Sequence, residues 1–268
     1  MTDNNNVTRR TALAGLASST FGATQAFADA TPEQLGKILP SNVCIITPQA
    51  VEGPYYFDPK LVRGDIREGR AGVPLKLLLQ VVEASTCRPL EGARLDIWHA
   101  DAIGIYSGYE NQSDDRKLST VGKNFLRGTQ FTDKAGQASF MTIYPGWYRG
   151  RTAHIHFKAF LDSNEVLVGQ MYFPDAMNEY IYTKVAPYNQ RSSARDTFNR
   201  TDFIAKQDGD ASFCSVREEA SQYLASLVIG AERNGNPRAM GPRPGGSPAE
   251  GRGPRTPRPR DGSPLVPD

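Results

Sequence analysis

The sequence IYPGWYRGRTAHIHF runs from Ile143 to Phe157 and contains two of the chain's three histidines. In an extended strand successive side chains point to opposite faces, so His154 and His156 share one face. A Pro-Gly pair predicts a turn just before Tyr148, which brings its phenol back toward the imidazoles. A His-x-His pair alone is also typical of a solvated strand face. With the turn and the tyrosine, the stretch predicts a strand that offers two imidazoles and a phenol to one metal ion.

A second tyrosine follows from the segment between Asp96 and Tyr109, which predicts a strand that ends in a glycine-containing loop and presents Tyr106. Phenolate oxygen is a hard ligand and imidazole is compatible with iron, so this ligand set favours Fe(III) over Zn(II) or Cu(I). A free tyrosine has a pKa near 10, and only a strong Lewis acid keeps two of them deprotonated at neutral pH. The residue types therefore predict an iron site.

Short segments of alternating apolar residues, separated by turns, continue outward from this stretch in both directions. The alternating residues are Leu75, Leu77, Leu79 and Val81; Leu95 and Ile97; Ala138, Phe140 and Thr142; and Val166, Val168 and Gln170. Turns are predicted at residues 133–136 and 162–164. The pattern predicts an all-β fold, an antiparallel β-sandwich with long active-site loops and few short helices. We expect a helix from Asp175 to Lys184, another beginning at Thr31, and a closing strand from Gln222 to Gly230.

Composition sets limits on the class of protein. With 268 residues and 39% hydrophobic content, the chain can form one large domain or two small ones. It has no uninterrupted apolar run of about 18 residues, so no membrane-spanning helix is expected. A formal net charge of +2 and the lack of a basic stripe with aromatics argue against nucleic acid as a partner. The sequence does not fix the oligomeric state, and a homo-oligomer is compatible with it.

The two ends of the chain differ in composition from its middle. Arg9 and Arg10 precede a moderately apolar run, and Ala26-Phe27-Ala28 has the small-x-small form of a cleavage site. Residues 1–28 are thus predicted to be a twin-arginine-type signal peptide that exports the protein to the periplasm or medium; the alternative is a disordered tail with a chance arginine pair. Residues 234–268 are rich in proline, glycine and arginine and are predicted to be disordered. The predicted domain occupies residues 29–233.

The chain has three cysteines, Cys44, Cys87 and Cys214. In an exported protein this number is compatible with one disulfide and one spare thiol. We predict the Cys44–Cys87 pair, because both flank the start of the domain. Three pairings are possible, and none of the cysteines has metal-site spacing.

Five motifs resemble those of the intradiol ring-cleavage dioxygenases, the family of catechol and protocatechuate dioxygenases, over roughly residues 47–231. They are EGPYY from Glu52, WHADAxGxY from Trp98, PGxY from Pro145, RTAHIHF from Arg151 and QMYF from Gln170. The resemblance implies a β-sandwich and one non-haem Fe(III) per chain. It also implies that Tyr148 and His154 are the axial ligands, Tyr106 and His156 the equatorial ones, and that Tyr148 leaves when a catechol binds.

The same resemblance implies cleavage of a catechol ring by O2 between its two hydroxylated carbons, giving a cis,cis-muconate-type diacid. Arg151 would stabilise charge on the substrate ring, Gln170 would form part of the pocket wall, and Tyr55 would contact substrate. Only Arg149 and Gly150 separate Tyr148 from Arg151. This short connection predicts an open site for bulky or substituted catechols, with Arg149 at its rim; the alternative is that residues 111–124 cover the site.

Two other classes of function are compatible with the pattern. The first is a secreted β-sandwich module that binds a ligand without turnover, and it would lack one of the metal ligands. The second is a zinc hydrolase built on the His-x-His pair, which needs a carboxylate general base near the metal. Asp101 is the nearby candidate for that base, whereas His99 is expected to pack behind the loop that carries Tyr106.

Overall fold

Eight strands form the framework of residues 46–235, the part of the chain that the computed structural model describes. They are β1 (Pro74–Glu83), β2 (Arg94–Trp98), β3 (Arg127–Phe131), β4 (Gln137–Ile143), β5 (His154–Leu161), β6 (Asn164–Tyr172), β7 (Ser215–Glu218) and β8 (Tyr223–Ala231). One sheet has the order β4-β1-β8-β7 and the other β3-β2-β5-β6. The predicted all-β sandwich is confirmed.

Alternation of apolar side chains explains why these segments pair as they do. Leu75, Leu77, Leu79 and Val81 of β1 are fully buried in the main core, as expected for one face of a strand packed against a second sheet. All strand pairs are antiparallel except β1 with β8, which run parallel. The closing strand, β8, thus lies between β1 and β7 and runs parallel to β1.

Two helices lie between β6 and β7. Helix α1 spans Asp175–Lys184, the predicted range, and α2 spans Phe203–Asp208, which the sequence analysis did not predict. Asp202 caps α2, because its side chain accepts hydrogen bonds from the backbone N–H groups of Ile204 and Ala205. Short 3-10 turns occupy Tyr188–Gln190 and Asp210–Ser212.

Several predictions fall outside residues 46–235: the signal peptide, the helix from Thr31, Cys44, and the tail beyond Gly235. Cys87 is disulfide-bonded, and Cys214 is a buried free thiol. Within the described part of the chain, no helix is both long and apolar enough to cross a membrane.

The second sheet positions the histidines. On β5, His156 lies opposite Trp98 of β2 on one side and opposite Gln170 of β6 on the other. The connection from β2 to β3 carries Tyr106, and the connection from β4 to β5 carries Tyr148. Two loops and one strand therefore meet at the same end of this sheet.

Candidate metal centre

Three polar atoms from these elements converge on the Nε2 atom of His154. The Nε2 of His156 is 3.1 Å from it, the hydroxyl of Tyr148 3.3 Å and the hydroxyl of Tyr106 3.4 Å. The structure thus brings together all four residues that were predicted to bind iron. Both histidines and Tyr106 are almost fully buried, whereas Tyr148 is partly exposed.

The electrostatics of the histidines suit a metal. His154 Nδ1 lies 2.7 Å from the backbone carbonyl of Thr152, a contact that places the proton on Nδ1 and leaves the Nε2 lone pair free for a metal. Burial lowers the pKa of His154 and of His156 well below the usual range, and the nearby Arg151 adds to the shift. Both imidazoles are therefore neutral, the form that binds metals.

The two phenols differ in how firmly they are held. The loop around Tyr106 is fixed by hydrogen bonds from its backbone N–H to Gln112 (3.0 Å) and from the Thr120 hydroxyl to its carbonyl (2.6 Å), and Tyr55 stacks on its ring. Tyr148 stands in a tight turn, in which Arg151 N–H donates to the Tyr148 carbonyl at 3.0 Å. Burial raises the pKa of both phenols, and Arg151 opposes the shift. Without a cation stronger than an arginine, both phenols stay protonated.

A close approach of backbones fixes the segment before Tyr148. A Cβ atom on Gly146 would lie 2.2 Å from the backbone oxygen of Asp101, so only glycine fits there. Asp101 belongs to the loop that carries Tyr106. Gly146 thus lies where the two tyrosine loops pack against each other. The turn of this connection lies at Arg149 and Gly150 rather than at Pro145-Gly146, where it was predicted.

Arg151 is fixed from two directions. Its Nε donates to the buried carboxylate of Asp202 at 2.8 Å, and one terminal nitrogen donates to Gln170 Oε1 at 2.5 Å. Gln170 is itself held by the Tyr172 hydroxyl and by the carbonyl of Val51. Gln170 was predicted in the pocket wall; in the structure it holds Arg151 in place.

A cavity of about 150 Å³ opens onto the two phenols. Its lining residues are Tyr55, Ile103, Gly104, Tyr106, Asn111, Gln112, Ser113, Asp114, Arg116, Tyr148 and Arg149. Tyr55 and Arg149, the two residues predicted to contact substrate, are among them. Residues 111–116 form one wall, so the loop raised as an alternative cover does contribute to the cavity.

Two polar residues near the site, Asp101 and His99, already bind other groups. The Asp101 carboxylate forms an ion pair with Arg70 and accepts hydrogen bonds from the backbone of Ile103 and Ile105. His99 contacts the Ala100 carbonyl at 2.8 Å and the Thr142 hydroxyl at 2.7 Å. Asp101 is therefore not free to act as the general base of a zinc hydrolase, and His99 has no ring nitrogen left for a metal.

The donor set fits Fe(III). Two neutral imidazoles and two phenols within 3.4 Å of one nitrogen supply the nitrogen and hard oxygen ligands that this ion accepts. Among residues 46–235, no group of three or more His, Cys, Asp or Glu side chains is placed to hold a metal ion. This part of the chain thus offers no carboxylate- or thiolate-rich alternative.

The sequence analysis missed Asp202 as part of the site. The sequence does show an aspartate directly before the apolar segment Phe203-Ile204-Ala205. An aspartate in this position is typical of a helix N-cap. That pattern indicates the cap but not the contact with Arg151, which lies 51 residues earlier in the chain.

The chain is similar to known dioxygenases. Residues 51–210 match a family model described as Dioxygenase. An intradiol ring-cleavage dioxygenase from Tetranychus urticae superposes with a TM-score of 0.64 and 32% sequence identity, over 71% of this chain and 96% of that chain.

Two sequence relatives are more distant. Catechol 1,2-dioxygenase of Acinetobacter baylyi is 27% identical over 209 residues, which are 69% of this chain and 64% of that protein. Chlorocatechol 1,2-dioxygenase of Pseudomonas putida is 27% identical over 144 residues, which are 46% of this chain and 52% of that protein. The chain covers less than two thirds of either relative.

Proposed function

Because this chain belongs to the intradiol ring-cleavage dioxygenase family, we propose that it is a non-haem Fe(III) enzyme that cleaves catecholic rings between the two hydroxylated carbons. O2 is the second substrate, and the products are cis,cis-muconate-type diacids. The observation that carries this proposal is the convergence of two neutral imidazoles and two phenols beside a cavity. A binding module without turnover has no need of such a set.

His154, His156, Tyr106 and Tyr148 would hold the iron. When bound, the ion lowers the pKa of its ligands and draws electron density from a coordinated catechol, which makes the ring reactive toward O2. The protein needs no external electron donor for this reaction, because the catechol supplies the electrons.

Tyr148 is the residue best placed to handle the substrate protons. Its hydroxyl is 3.3 Å from His154 Nε2, it lines the cavity, and it is partly exposed, whereas Tyr106 is buried and stacked on Tyr55. As a phenolate, Tyr148 accepts a proton from a catechol hydroxyl at its Oη and turns toward solvent. Tyr106 stays in place because two backbone hydrogen bonds fix its loop.

Arg151 supplies a fixed positive charge beside the reacting ring. It is mostly buried, it influences the pKa of both phenols, and its ion pair with Asp202 keeps it in one orientation. A fixed cation in a partly dry site stabilises developing negative charge more strongly than mobile water does. Arg151 therefore favours the transition state in which the ring gains charge.

For the substrate, we propose a catechol that carries an acidic substituent. Arg116 and Arg149 are exposed, line the cavity, and form no ion pair with any residue in the range 46–235. The neighbouring carboxylate of Asp114 is already paired with Arg191 at 2.9 Å. The rim therefore carries two arginines outside any ion pair within this range, and they suit a carboxylate on the ring or on a side chain.

The test of the reaction is O2 uptake by iron-loaded protein with catechol, protocatechuate and a catechol that bears a large acidic side chain. We expect a reddish protein, from charge transfer between tyrosinate and iron, and ring-opened diacids as products. His154→Ala and His156→Ala should each abolish iron retention, since no other described histidine has a free ring nitrogen. Colourless protein after iron addition would refute the proposal.

The substituent has a separate test. Arg149→Gln should raise the KM for protocatechuate about tenfold and leave the KM for unsubstituted catechol within twofold. Lys117→Gln is the control, because Lys117 is an exposed cation next to Arg116 in the β2–β3 connection but does not line the cavity. Activity confined to the smallest uncharged catechols would sink the substituent proposal and leave the iron assignment intact.

We also propose that the protein works outside the cytoplasm. The twin-arginine pattern of residues 9–10 motivates this, and the disulfide at Cys87 supports it, since disulfides persist in oxidising compartments. Cell fractionation of the full chain should find it in the periplasm or medium, and replacement of both arginines by lysine should retain it inside. An equal distribution of both forms would contradict the proposal.

A further inference from the structure

The two histidines of the metal centre are oriented by different means. A metal-binding histidine usually donates its second ring N–H to a carbonyl or carboxylate, which fixes the ring. His154 follows this rule through the Thr152 carbonyl at 2.7 Å. His156 does not, because its buried Nδ1 has no hydrogen-bond partner among residues 46–235. Some other contact has to set the plane of the His156 ring.

Trp98 makes that contact. Its ring is nearly parallel to the imidazole of His156, with an interplanar angle of 8° and a centroid separation of 4.8 Å. The indole is 1% exposed and lies directly opposite His156 in the pairing of β2 with β5. Close, nearly parallel rings of this kind attract each other in an offset stack.

The indole is itself held from behind. Tyr56 packs on Trp98 at 4.8 Å, and its hydroxyl donates to the buried carboxylate of Asp96 at 2.9 Å. The backbone of Gly53 packs against the edge of the His156 ring. A Cβ atom on Gly53 would lie 3.4 Å from His156 Cε1, which is van der Waals contact. The imidazole is thus confined on its face by an anchored aromatic pair and on its edge by backbone.

We propose that Trp98 is the positioning residue for His156: the indole face takes the place of the missing hydrogen bond and keeps His156 Nε2 aimed at the donor atoms of His154, Tyr106 and Tyr148. The inference rests on the proposed iron site. Trp98 touches no substrate and supplies no ligand, so it acts through His156 alone.

Two substitutions of Trp98 test the proposal. Trp98→Leu removes the aromatic face and should weaken Fe(III) binding at least tenfold, measured by competition with a ferric chelator on the full chain. Trp98→Phe keeps an aromatic face and should bind iron within threefold of wild type. Phe140→Leu is the control, because Phe140 is equally buried but belongs to the main core, outside the aromatic cluster of the site.

The thermal midpoints of the metal-free proteins separate positioning from simple stabilisation. If Trp98 only stabilises the fold, Trp98→Leu and Phe140→Leu will lower the midpoint and leave iron affinity within twofold of wild type. That result would overturn the proposal, as would a Trp98→Phe variant that binds iron as weakly as Trp98→Leu.

A measurement on metal-free wild type keeps the test independent of whether Trp98→Leu folds. The chain has three histidines, so selective labelling gives three ring environments by NMR. The ring protons of His156 should be displaced upfield by the indole relative to those of His154, and no displacement would refute the stack. Failure of wild type to bind Fe(III) at all would instead refute the proposed function.

Discussion

The replacement Asp202→Asn tests how the site is held together. One carboxylate oxygen accepts hydrogen bonds from Arg151 Nε (2.8 Å) and Thr152 N (2.9 Å), and the other accepts from the backbone of Ile204 (2.9 Å) and Ala205 (3.1 Å). Asparagine has only one oxygen. Whichever way its amide turns, the NH2 group faces one pair of donors, and that pair loses its acceptor.

The magnitude follows from burial. The Asp202 side chain is 0% exposed and that of Arg151 is 15% exposed. Each buried donor left without a partner costs about 1–3 kcal/mol, and breaking a buried ion pair by removing one charge costs about 3–5 kcal/mol. We therefore expect the free energy of unfolding to fall by about 3–5 kcal/mol. The kcat for catechol should fall at least about tenfold, because Arg151 is no longer held in place.

Urea unfolding at pH 7, followed by circular dichroism, measures the first effect, and O2 uptake measures the second. Glu179→Gln is the matched control: its ion pair with Arg195 is 3.3 Å long and the Glu179 side chain is 58% exposed, so the change should cost less than about 1 kcal/mol. An Asp202→Asn variant whose free energy of unfolding stays within about 1 kcal/mol of wild type would refute this reasoning.

Three further predictions concern the tyrosines, a buried carboxyl and a close backbone contact. Tyr148→Phe should retain more iron per chain after dialysis than Tyr106→Phe, because Tyr148 is the partly exposed ligand; equal loss would argue against distinct roles. Burial raises the pKa of Asp208 from an ordinary 3.8 to about 6, so the folded state binds that proton more tightly and wild type loses stability as pH rises from about 4 to 6. Asp208→Asn should gain about 1–3 kcal/mol relative to wild type between pH 4 and 7 in urea unfolding, and a pH-independent difference would contradict this. Gly146→Ala should lower the free energy of unfolding by about 2 kcal/mol, because its Cβ would lie 2.2 Å from a backbone oxygen; Gly64→Ala, whose Cβ would meet nothing within 3.4 Å, is the control, and equal costs would disprove the clash.

The strands that could be predicted are those with apolar residues at every second position. Burial on β4 alternates from Ala138 to Thr142, as in a half-buried strand. On β1 the apolar residues from Leu75 to Val81 mark one face, and most of the opposite face is buried as well. Strand β3, with the sequence RGTQF, carries no such period. Its first residue, Arg127, is 1% exposed because its guanidinium donates to the Tyr55 carbonyl and to Ser107. Burial that depends on specific hydrogen bonds leaves no trace in hydropathy.

Within the site, the same distinction separates what was predicted from what was missed. The spacing of His154 and His156 depends only on strand geometry, so the sequence sufficed. The contacts of Arg151 with Asp202 and of His156 with Trp98 join segments that are 51 and 58 residues apart, and no local pattern encodes them. The motif resemblance pointed to the four side chains that converge in the structure, but only the fold shows what orients them.

Under the proposed function, the arrangement would let one fold hold iron firmly and yet exchange a ligand. His154, His156 and Tyr106 are each 1–2% exposed and held by strand pairing, stacking or backbone hydrogen bonds. Tyr148 is partly exposed in a two-residue turn. Rotating Tyr148 toward solvent would break its edge contact with the Tyr106 ring, whereas releasing Tyr106 would break its stack with Tyr55 and the loop bonds behind it. The difference in burial therefore makes Tyr148 the ligand that the proposed mechanism would displace, and substituents on the proposed substrate would meet the same exposed side of the site.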